Sequence, residues 1–104
     1  MDDKEFANLA EKTIADIEAR LERCSADIDF EIQPGGILEI EFANGSKIVI
    51  NRQAALREIW VAARSGGFHF RHNGEIWRDT RSDDELIIKL STLASDQAGE
   101  LVVL

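Results

Sequence analysis

Apolar residues recur at helical spacing near the start of the chain. Phe6, Leu9, Ala10, Thr13, Ile14, Ile17, Leu21 and Cys24 fall on one stripe, which predicts an amphipathic helix over Asp3–Arg23. Asp2, Asp3 and Glu5 suit the positive end of its dipole. The period then changes to two. In Asp27–Ile32 the apolar Ile28, Phe30 and Ile32 alternate with Asp27, Asp29 and Glu31, the signature of a strand with one buried face. Gln33-Pro34-Gly35-Gly36 reads as a turn and holds the only proline.

Parity fixes the next hairpin. Leu38, Ile40 and Phe42 form one apolar face, and Ile48 and Ile50 continue it on the following strand. A two-residue Asn44-Gly45 loop sets Phe42 against Lys47 and puts the two apolar sets on opposite faces. A three-residue loop, Ala43–Gly45, pairs Phe42 with Ser46, Ile40 with Ile48 and Leu38 with Ile50, and the faces agree. Gly45 then takes the left-handed bulge position, and Glu41 faces Lys47 as a cross-strand ion pair.

Val49–Trp60 fits two templates. Leu56, Ile59, Trp60 and Ala63 lie at i, i+3, i+4 and i+7, a helical pattern, while Ile59 and Val61 alternate with Glu58, Trp60 and Ala62 as in a strand. Pattern alone favours the helix. Further on, Gly66–Phe70 reads as a turn leading into a strand, His72–Gly74 as a turn and Glu75–Thr80 as a short strand. Ser82, three residues before Glu85, suggests a capping box. Leu86, Ile87, Leu90, Leu93 and Ala94 predict a second helix that Gly99 ends, and Leu101–Leu104 is an apolar tail that must pack. The expected architecture is α+β: a two-layer α/β sandwich in one domain over residues 1–104. Its antiparallel sheet of five to six strands carries N- and C-terminal helices on one face and polar residues on the other.

Charge narrows the chemistry. Twenty acidic residues against 12 basic ones give a net charge of −8, which argues against nucleic acid and anionic membranes and favours cations or a basic protein partner. The lone Cys24 excludes an internal disulfide and, with no apolar leader visible in Met1–Phe6, leads to the expectation of a cytoplasmic protein. Glu11, Glu18 and Glu22 line one side of the first helix and come close in sequence to Asp27, Asp29 and Glu31. Packed side by side, these carboxylates repel by roughly 1 kcal/mol per close pair, and a hard cation such as iron, manganese, calcium or magnesium relieves that repulsion. The plainer reading is a solvated helix face. Trp60 with Asn51 and Gln53 could form a binding hot spot or could be core packing. Trp77, His69 and His72 read as structural or surface residues, and Cys24 as a half-buried helix-end residue.

Asn44–Gln53, then Ile59-Trp60, then Gly66–Phe70, then Trp77–Ser82, set between an acidic first helix and a second helix, resemble the frataxin family from Phe6 to Gly99. The resemblance implies that Val49–Trp60 runs as strand, with Ile59 and Val61 towards the helices and Trp60 towards solvent. It implies a non-enzymatic protein of iron–sulfur cluster assembly that binds iron weakly at Glu11, Glu18, Glu22, Asp27, Asp29 and Glu31. It also implies partners: a cysteine desulfurase met by Glu18 and Glu22, and a scaffold protein met by Asn51, Gln53 and Trp60. The chain is expected to be a monomer, able to assemble with excess iron. Arg23, Cys24 and Ser25 dilute the acids that bacterial members of the family crowd at this point. A ferroxidase-like iron-storage role and a metal-independent acidic interaction module are the competing functions.

Overall fold

A computed structural model describes all residues 1–104. The helix predicted first, α1, spans Asp3–Arg23. Asp2 caps it: its carboxylate accepts the Glu5 N–H at 2.8 Å, and the Glu5 carboxylate reaches back to the Asp2 N–H at 3.5 Å. Six strands follow, β1 (Ile28–Gln33), β2 (Ile37–Phe42), β3 (Lys47–Gln53), β4 (Glu58–Ala63), β5 (Gly66–His72) and β6 (Trp77–Asp79), and then α2 (Leu86–Ala98). The sheet is an antiparallel meander in the order β1-β2-β3-β4-β5-β6, which leaves β1 and β6 as its edges.

Both helices lie on one face of this sheet. Phe6, Ala10, Ile14, Ile17 and Leu21 of α1 and Leu86, Leu90, Leu93 and Ala94 of α2 pack on Leu38, Ile40, Ile48, Ile50, Ile59, Val61 and Phe70. Trp77 joins the layers. Its Nε1 donates to Thr13 Oγ1 at 2.9 Å, and its ring meets Phe6 edge-on. The apolar tail packs too: Val102 is buried, with its N–H and carbonyl both on Ser95 Oγ, and Leu104 N–H donates to Ser91 Oγ. No helix is long and apolar enough to cross a membrane.

The hairpin parity holds. Leu38 faces Ile50, Ile40 faces Ile48, Phe42 N–H donates to the Ser46 carbonyl, and Gly45 has φ 84°. Val49–Trp60 is strand, broken by a 3-10 turn at Ala54–Leu56. Arg57, in the left-handed region, ends that turn, so a helix cannot continue to Ile59. Leu56, which the helical template would bury, is exposed, while Ile59 and Val61 are fully buried.

Four local expectations are corrected. Lys47 lies opposite Glu41 but its Nζ binds Glu39 at 2.9 Å, because a long side chain reaches the diagonal neighbour on the twisted pair. Gly66 and Gly67 already pair with Ala63 and Ala62, so the turn is Arg64-Ser65. The last strand is only Trp77–Asp79, because the Asn73 side chain accepts the Glu75 and Ile76 N–H groups and holds both in the turn. The Ser82 capping box does not form. Asp79 and a left-handed Asp83 curl the chain, and Glu85 itself caps α2 by accepting the Ile87 and Ile88 N–H groups.

Gln97 is a connection that patterning does not reveal. It is buried in α2, and its Nε2 donates to Ser46 Oγ and the Lys47 carbonyl, each at 3.1 Å. Its Oε1 accepts the Arg64 N–H at 2.9 Å.

Candidate functional site

The predicted metal ligands occupy two rows that flank the edge strand β1. On the helix side, Glu11 and Glu18 project from α1 into a groove of about 350 Å³, shared with Ile14, Ala15, Ile32, Gly36 and Arg52. Arg52 thus places a guanidinium against the same groove as the two carboxylates. It fits because Gly36, with φ 77°, has no side chain: a Cβ there would lie 2.5 Å from Arg52 Nη2. Glu22 and Asp27 are exposed on the last turn of α1 and in the connection to β1.

On the open sheet face, Asp29 and Glu31 project from β1. The β1–β2 register sets Asp29 against Glu41 and Glu31 against Glu39, and the four carboxylates surround one shallow depression of about 370 Å³. Like charges directly opposite each other on antiparallel strands are destabilising. Lys47 relieves one of them through Glu39, and that contact raises the Lys47 pKa. Glu39 and Glu41 were not among the candidates. Their signal was present, because the Gln33–Gly36 turn fixes the register that puts them beside the β1 acids.

No group of three or more His, Cys, Asp or Glu side chains converges closely enough to hold a metal ion. The carboxylates form an open electrostatic surface rather than a cage, which suits low affinity and modest selectivity for hard cations.

A second surface lies at the centre of the same open face. Asn51 is exposed and faces Trp60 across β3–β4, while Gln53 faces Glu58. Trp60 is half-buried and stacks on His69, directly opposite on β5, with ring centroids 4.2 Å apart and planes at 7°. Its Nε1 donates to Glu58 Oε1 at 2.9 Å, and Arg71 Nη2 donates to Glu58 Oε2 at 2.6 Å. The expectation of a bland His69 missed this stack, which depends on the β4–β5 register. His72 does have a structural place: it meets Trp77 edge-on and accepts the Gly74 N–H through Nδ1.

Two buried carboxyls have lowered pKa values. For Glu58, burial opposes ionisation, but the hydrogen bonds from Trp60 and Arg71 and the Arg71 charge outweigh it. For Asp79, burial is likewise outweighed, by hydrogen bonds from the Arg81 and Ser82 N–H groups. Both therefore titrate below their ordinary values of 4.5 and 3.8, and the stability they confer is complete above those values. It is lost as the pH falls through the lower folded values. Thermal unfolding measured down the acid limb is expected to show this loss, with a shallower slope in Glu58→Gln. An unchanged slope would contradict the assignment.

Comparison with known proteins agrees with this fold. The profile of the frataxin-like domain matches residues 1–100. The iron-sulfur cluster assembly protein CyaY of Dechloromonas aromatica (strain RCB) is 64% identical over 104 residues, covering 100% of this chain and 99% of that protein. The protein of the same name from Cupriavidus pinatubonensis is 54% identical over 101 residues, covering 94% of this chain and 91% of its own length. Among solved structures, a frataxin from Psychromonas ingrahamii superposes with a TM-score of 0.90 at 39% identity, covering 99% of this chain and 97% of that one.

Proposed function

The chain belongs to the frataxin-like family, and on that premise we propose that it serves iron–sulfur cluster assembly as an iron-binding modulator. Its carboxylate rows bind iron weakly and dock on a basic surface of a cysteine desulfurase. Asn51, Gln53 and Trp60 turn towards the scaffold protein on which the cluster is built. The same proposal places it in the cytoplasm, as a non-enzymatic partner of that machinery. The observation that carries it is the pairing of carboxylate against carboxylate along β1 and β2. The fold tolerates this repulsion on an open surface, and a cation or a cationic partner relieves it.

Docking driven by such a surface is fast and sensitive to salt. Stopped-flow association with purified cysteine desulfurase is expected to slow by roughly tenfold between low and physiological ionic strength. An association rate indifferent to salt would overturn the electrostatic docking.

A further inference from the structure

Glu58 stands on the sheet face that the helices leave open, yet only 3% of it is exposed. An ionised carboxylate withdrawn from water is costly unless it is paired and hydrogen-bonded. Here two neighbours on the same face, Trp60 and Arg71, hydrogen-bond it, and a third, His69, lies close by. Trp60 lies two residues along β4, Arg71 lies directly opposite Glu58, and His69 lies directly opposite Trp60. Oε1 accepts the indole N–H and sits 3.7 Å from His69 Nδ1, while Oε2 accepts from Arg71. The four residues form a two-by-two block with the carboxylate at its buried corner.

This arrangement has a chemical consequence for Trp60. Its only polar group is engaged inside the protein, so the indole can offer a partner its ring but not its N–H donor. The ring is also braced against the parallel imidazole of His69. An exposed tryptophan otherwise loses side-chain freedom when it is bound, and a ring already fixed avoids that cost.

We propose that Glu58 is a positioning residue: its buried carboxylate fixes the Trp60 indole, on which the His69 ring stacks, as a preformed aromatic platform that a partner meets through ring contacts. This rests on the reading that Trp60 faces the scaffold protein. The platform suits an apolar or methylene-rich side chain of that partner better than a hydrogen-bond acceptor.

The test uses the full chain and two variants, Glu58→Ala and Glu58→Gln. The first readout is the indole Hε1 resonance of Trp60 in the free protein, with that of Trp77, held by Thr13, as an internal control of the fold. In Glu58→Ala the Trp60 resonance is expected to shift and its exchange with water to quicken about tenfold, while Trp77 stays in place. Glu58→Gln keeps an acceptor for the indole and should restore the protected resonance. The second readout is binding to the purified scaffold–desulfurase complex. It is expected to weaken about tenfold in Glu58→Ala and to recover largely in Glu58→Gln. A Trp60 resonance unmoved by Glu58→Ala overturns the proposal, and so does unaltered binding when the indole is freed. A wild-type chain that does not bind the complex overturns the docking reading and this proposal with it. That failure is distinguishable, because in the other two outcomes the wild type binds normally.

Discussion

Glu18→Lys combined with Glu22→Lys is expected to abolish binding to the cysteine desulfurase while leaving the domain folded. Glu18 is half-buried beside the Arg52 groove and Glu22 is exposed on the last turn of α1, so neither contributes to the apolar core. Each reversal replaces an attraction to a basic partner with a repulsion, and like-charge juxtaposition across an interface costs several kcal/mol. A loss of affinity of at least about a hundredfold follows. The change in thermal midpoint should stay small, because surface substitutions usually move stability by about 0.5 kcal/mol or less. Glu100→Lys, an exposed reversal beyond α2 that belongs to neither carboxylate row, should bind like the wild type. Titration calorimetry at low ionic strength reads all three proteins, and unchanged affinity in the double variant would remove the acidic helix from the docking surface.

The largest structural effect is expected from Gln97→Ala. The side chain is 1% exposed and satisfies the Arg64 N–H, Ser46 Oγ and the Lys47 carbonyl, groups that lie in or beside two different hairpin loops. Truncation removes three part-buried hydrogen bonds, of which only the one at Ser46 Oγ has a substitute in Asn44 Oδ1, and opens a void beneath them. Each unsatisfied group costs about 1–3 kcal/mol, so a total near 3 kcal/mol is expected. For a domain of this size that lowers the midpoint of thermal unfolding by roughly 12–20 °C. Gln97→Glu should also destabilise, because a carboxylate placed against the Lys47 carbonyl has no donor to offer it. A midpoint within a few degrees of the wild type in Gln97→Ala would mean that α2 is held by its apolar stripe alone.

These two cases mark how far the sequence could be read. The three-residue hairpin loop was legible because period-two alternation forces one parity on both strands. The acidic helix side was legible because a helix repeats its face every three to four residues, so Glu11, Glu18 and Glu22 align without knowledge of the rest of the fold. Val49–Trp60 was not settled by pattern. Ile59, Trp60 and Ala63 satisfy either period, and the decision rests on Arg57, a non-glycine residue in the left-handed region that no pattern announces.

Glu58 and Gln97 were illegible for a different reason. An acid at an outward strand position and a glutamine within a helix both read as solvated. Their burial comes from neighbours distant in the chain: Arg71 and His69 across β4–β5, and the two hairpin loops that close over α2. Glu39 and Glu41 stand between these cases. They needed only the β1–β2 register, which the intervening turn already fixes, to join Asp29 and Glu31.

Weak binding of iron to the carboxylate rows about β1 is the core of the proposed function. An anaerobic ferrous titration of the isotope-labelled chain, followed amide by amide in NMR spectra, tests it most directly. Paramagnetic loss of signal is expected to be confined to the faces bearing Glu11, Glu18 and Glu22, to Asp27–Glu31, and to Glu39 and Glu41, with Trp60 and His69 untouched. Uniform broadening, or the same diffuse response to an inert divalent ion, would contradict it and leave an acidic docking module with no iron of its own.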